Sequence, residues 1–114
     1  MPVYSRELTA AELAAMIAGT SFVSLPVTSA GRVNLLVVFG NGCSAGAVAL
    51  KGAHLPAFAG AWAEQASAVC PGSPPGANGS VVIATVETVG GFVRPELKTA
   101  LAGGTIDKVV IYVG

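Results

Sequence analysis

Phe92–Gly114 reads FVRPELKTALAGGTIDKVVIYVG. It holds an extended start, a Gly-Gly break, and a Val/Ile-rich run that continues to the last residues. Such a run is costly to leave in water, and β-branched residues suit a pleated, half-buried surface. Thr105–Val113 is therefore predicted to be a strand inserted in a sheet, tying down this end of the chain. Phe92–Leu97 is predicted to be extended, with Pro95 at an edge or a bulge. Lys98–Gly104 is predicted to turn.

Upstream, the same punctuation repeats. Arg32–Phe39 (RVNLLVVF) is apolar on both faces after Asn34, the pattern of a central strand. Gly40-Asn41-Gly42 breaks it, and Gly46–Lys51 (GAVALK) is a short strand of small residues. Ala61–Ala68 (AWAEQASA) has helical propensity inside a strand-like context and is assigned as a strand. Cys70–Asn78 (CPGSPPGAN) is a loop, because its prolines and glycines leave no ladder. Ser80–Val86 (SVVIATV) is a strong strand, and Glu87–Gly91 turns. Ser21–Val27 alternates loosely, with Pro26 favouring an edge. The fold class is mainly β: an antiparallel β-sandwich or partly open barrel of six to seven short strands with one short N-terminal α-helix.

The helix has the clearest local signal. Thr9-Ala10-Ala11-Glu12 fits a capping box, with Leu8 and Leu13 at the positions of a hydrophobic staple. Gly19 is placed to end it. Leu13, Met16 and Ile17 share one face. A helix this short must lean on something, either its own sheet or a neighbouring subunit. The organisation expected is an arm and helix over residues 1–19 and a single β domain over 20–114.

Charged residues make up 11% of the chain and net charge is zero, against about 25% charged in ordinary domains. Mean hydropathy is +0.70. A small domain with so little charge is prone to self-association. Six basic residues, widely scattered, make no nucleic-acid patch. Leu13–Gly31 is uncharged but too rich in Ser, Thr, Gly and Pro to read as a membrane span. Glu7 and Glu12 interrupt what would be a signal peptide.

No catalytic, metal or nucleotide signature is present. His54, the single histidine, has no nucleophile at a recognisable spacing. Gly40-Asn41-Gly42 lacks the third glycine of a dinucleotide loop. No cofactor or metal is expected. Cys43 and Cys70 are either a disulfide, worth about 3 kcal/mol, or two unpaired thiols of a protein made in a reducing cytosol. Trp62 is a core or interface residue, or a platform for stacking a sugar.

Gly46-Ala47-Val48-Ala49-Leu50, then Trp62, then Phe92-Val93-Arg94, and finally Gly103-Gly104-Thr105-Ile106 follow one another in a pattern that resembles small tail and capsid proteins of double-stranded DNA bacteriophages. The resemblance covers roughly residues 33–114. It departs over Ala53–Gly76, an Ala/Pro-rich section where the pattern has a polar Asp-Gly turn. It implies a non-enzymatic virion structural protein, foremost a capsid decoration (cement) protein, assembled in the host cytoplasm. The implied partners are copies of itself, as a trimer or higher oligomer, and a major capsid or other virion protein, with no nucleic acid or membrane partner. The alternatives are a tail or head–tail connector protein and, from another class, a carbohydrate-binding β-sandwich module. Val3, Tyr4, Leu8, Phe58 and Trp62 are the candidate subunit contacts.

Overall fold

A computed structural model describes residues 4–27, 31–40, 42–55, 57–70, 80–88 and 91–113. The predicted loop Cys70–Asn78 lies outside the described residues except for Cys70. The elements are β1 (Tyr4–Glu7), α1 (Ala10–Ala18), β2 (Leu25–Val27), β3 (Gly31–Gly40), β4 (Ala45–Ala53), β5 (Ala63–Val69), β6 (Ser80–Thr88), β7 (Gly91–Ala102) and β8 (Thr105–Val113). They form two four-stranded sheets, ordered β1-β8-β3-β6 and β2-β7-β4-β5. Every pairing is antiparallel. This interlocked order is that of a jelly roll, two Greek keys wrapped into a sandwich. It resolves the sandwich-or-barrel alternative in favour of the sandwich.

The core follows from period-2 alternation. Val33, Leu35, Val37 and Phe39 of β3 are fully buried, and they meet Val48 and Leu50 of β4, Val93 of β7, and Ile106, Val109, Ile111 and Val113 of β8. The predicted terminal strand is an interior strand, flanked by β1 and β3. Its eight residues of pairing with β3 include a bulge that leaves Asp107 unopposed between Lys108 and Ile106.

Two expectations change. Lys98–Ala102 is strand, not turn, because Thr99 pairs with Ala47 and Ala102 with Ala45 across β4. Only Gly103 and Gly104, with φ of 68° and 65°, turn the chain from one sheet to the other. The count rises to eight because Tyr4–Glu7 is a strand paired with Val110–Val113. Pro95 is tolerated inside a sheet because β2 pairs only with Gly91–Val93, so β7 carries no β2 bonds where the proline sits.

α1 has the predicted caps. Thr9 Oγ1 accepts from the Glu12 N–H at 3.2 Å, and the Glu12 carboxylate accepts from the Thr9 N–H at 2.9 Å. Gly19 adopts φ 73°. The Gly19 N–H donates to Met16 O and the Thr20 N–H to Ala15 O, the paired bonds of a Schellman motif. The helix leans on its own sandwich: Met16 is 1% exposed, Leu8 is in the core cluster and Leu13 packs against it. Ile17 points outward.

Candidate functional site

The two sheets present different outer faces. On the β1-β8-β3-β6 sheet, register places Ile83, Leu36 and Val110 in one row and Thr85, Asn34, Tyr112 and Ser5 in the next. Ile83 is 59% and Tyr112 39% exposed. Val110 is buried yet stands outside the core cluster. Leu36 and Val38 are half-buried beside it. Thr85 Oγ1 bonds Asn34 Oδ1 at 2.6 Å. Glu7 and Lys108, both about half exposed, face each other at 3.8 Å. An apolar row edged by hydroxyl, amide and opposite charges is the make-up of a protein-contact patch.

The sequence signal for this face was present. A strand apolar on both sides, read in Arg32–Phe39 as a central position, needs cover on two faces. One is the core; the other is this surface. The Val109-Val110-Ile111 triplet carries the same message on β8.

The outer face of the β2-β7-β4-β5 sheet is covered around Arg94 by residues of two connections, while Val69 of β5 is 57% exposed. Arg94 on β7 lies between two rings, its guanidinium carbon 4.3 Å from the Phe22 centroid and 4.2 Å from that of Trp62. Its Nε donates to Glu96 at 2.7 Å, and Lys51 stands 3.7 Å from the same carboxylate. Trp62 Nε1 donates to Phe58 O at 2.8 Å. The cation thus pins both the α1–β2 and β4–β5 connections onto the sheet.

The candidate contact residues fare differently. Trp62 is 6% exposed, and the Arg94 stack occupies one face of its ring. Leu8 is spent in the core, with its N–H on Val109 O. Phe58 is half-buried, its ring 4.9 Å from that of exposed His54. Tyr4 pairs through its backbone with Val113; its side chain and all of Val3 lie outside the described residues. Of the three whose side chains are described, Phe58 and Trp62 are joined by the indole hydrogen bond, and Leu8 lies in the core. Ile83 and Tyr112, which the sequence reading did not single out, are the exposed apolar members of this face, with Leu36 half-buried and Val110 buried in the same rows.

Cys43 and Cys70 are neighbours not joined by a disulfide, the Cys70 thiol donating to Cys43 O at 3.1 Å. Burial, then the hydrogen bond with Cys70, holds the Cys43 thiol above its ordinary range. An open groove of about 370 Å³ runs past Ala53, His54, Gln65 and Phe92. Among the described residues no three His, Cys, Asp or Glu side chains converge, and no helix is long and apolar enough to cross a membrane. No family model, curated protein or solved structure matches this chain.

Proposed function

We propose that this protein is a non-enzymatic structural component of a bacteriophage particle, a cement protein that oligomerises on the capsid shell. The observation that carries the reading is the apolar outer face of the β1-β8-β3-β6 sheet, with Ile83 59% exposed at its margin. A domain with 11% charged residues and zero net charge has little to keep such a face in water, so another protein surface covers it. Jelly rolls also build lectins and cupins, so the fold alone does not select this role. The face and the resemblance of Gly46–Leu50, Phe92–Arg94 and Gly103–Ile106 to small phage proteins support it together. A tail or head–tail position uses the same surface chemistry.

The test is Ile83→Glu compared with wild type in sedimentation velocity and in binding to isolated shells. Wild type is expected as a stable oligomer that decorates shells. The variant is expected to be monomeric, with an unchanged urea midpoint, and to bind at least tenfold more weakly. A wild-type monomer that ignores shells overturns the proposal. The glycan-binding alternative has to use the groove at His54, Gln65 and Phe92 rather than Trp62. A monomer with a glycan-array signal lost in Gln65→Ala would favour it.

A further inference from the structure

The β3–β4 connection and the end of β5 meet at one end of the sandwich, and the two cysteines lie there. Cys43 lies in the β3–β4 connection, after Gly42 at φ 73°. Its thiol donates to Ala45 O at 3.2 Å. Cys70 directly follows β5; its N–H donates to Gly46 O at 2.9 Å, and its thiol to Cys43 O at 3.1 Å. The residues are 27 positions apart in sequence, and their exposures are 0% and 4%. The two thiols are hydrogen-bonded neighbours, each also bonded to a backbone carbonyl and both buried, so the segments that carry them are already side by side.

We propose that Cys43 and Cys70 are a latent disulfide, open in a reducing cytosol and closed by exchange with a small-molecule disulfide once the protein enters oxidising surroundings. The oxidant is of the glutathione disulfide class. Cys70, the more exposed of the two, loses its proton and attacks one sulfur of the oxidant. A mixed disulfide forms and one small thiolate leaves. Cys43 then loses its proton and attacks the Cys70 sulfur, expelling the second small thiolate. Two protein thiols lose two electrons, the oxidant gains them, and the two protons end on the two released thiols.

Burial sets the rate. Both thiols are buried, and burial raises that of Cys43, so closure waits on brief opening of the end of the sandwich and is slow in the native state. Once closed, the bond joins the crossing connection after β3 to the end of edge strand β5. It restricts the unfolded chain without adding a contact to the folded one. The chemistry is independent of the proposed function; only the moment of closure, on release from the host cell, rests on it.

The test uses the full chain purified under reductant and then equilibrated with mixtures of reduced and oxidised glutathione. Expected is a monomeric chain lighter by two hydrogens, with no thiol titratable in denaturant and a Cys43–Cys70 peptide after proteolysis. Its Tm should rise on the order of 10 °C, and reductant should reverse the rise. Cys43→Ser and Cys70→Ser should show no such rise. Because either variant could fail to fold, the peptide map of oxidised wild type is the deciding measurement. Glutathione retained on both cysteines, an interchain disulfide, or two free thiols under fully oxidising conditions in mild urea would each overturn the proposal. Failure here leaves the shell-binding test untouched, and the reverse is equally true.

Discussion

Gly103 and Gly104 share nearly the same backbone conformation, φ 68° and 65°, yet their surroundings differ. A methyl group on Gly103 would find only Gly42 O at 3.6 Å, an ordinary contact. On Gly104 it would lie 2.5 Å from Cys43 Cα and closer still to Cys43 N and Gly40 O, all backbone atoms. Carbon atoms rest at about 3.5–4.0 Å, so the Gly40–Cys43 segment would have to move by about 1 Å. That segment is held by the Gly40–Thr105 pairing and by the Ser44 N–H on Ala102 O at 3.0 Å. Alanine in the left-handed region costs about 1–2 kcal/mol, and overpacking against unyielding atoms adds about 1–3. Gly103→Ala is therefore expected to cost about 1 kcal/mol and Gly104→Ala about 3 or more. With a urea slope of about 1.5 kcal/mol/M, the midpoints fall by roughly 0.7 M and 2 M. Urea unfolding of the two variants under reductant, followed by circular dichroism, separates the terms. Equal losses at the two positions would refute the packing argument and leave only backbone conformation.

Arg94→Met keeps an apolar stem but removes the charge between Phe22 and Trp62; it should cost about 1–2 kcal/mol and shift Trp62 emission to the red, and an unchanged spectrum would show that the stack does not hold the loop. The Glu12 carboxyl is held below its ordinary range, first by the Thr9 N–H bond and then, against some burial, by Arg6. Its contribution to stability is therefore present above the unfolded value of about 4.3 and is lost as pH falls through the lower folded value; urea midpoints between pH 6 and 3 should fall less in Glu12→Gln than in wild type. Thr9→Ala, which removes the cap acceptor, should cost about 1 kcal/mol at pH 7 by the same assay. Deleting residues 1–18 removes β1 together with Leu8 and Met16 from the core, so a clear loss of thermal stability is expected; an unaltered melting curve would show the arm and helix to be dispensable to the fold.

Local chemistry fixed the elements of this protein. The capping box at Thr9–Glu12, the stop at Gly19 and the strands at Arg32–Phe39, Ser80–Val86 and Thr105–Val113 need only neighbours in sequence, and they stand where the residues put them. Pairing is a different quantity, since it depends on segments dozens of residues away. Lys98–Ala102 looks like turn material until β4 supplies its ladder. Tyr4–Glu7 looks like an arm until β8 offers it an edge. The same distance effect governs the surfaces. Trp62 has the composition of a contact residue, but Arg94 of β7 stacks on its ring and the Phe58 carbonyl takes its N–H. Ile83 and Tyr112 are ordinary strand residues that become a patch only when β6, β3 and β8 lie side by side. Phe92–Gly114 thus determined by itself that the chain is a β protein with its last strand in a sheet. Only the tertiary structure made that strand an interior one between β1 and β3, with one face in the core and Val110 and Tyr112 on the other, because a strand's two faces are assigned by what packs against each.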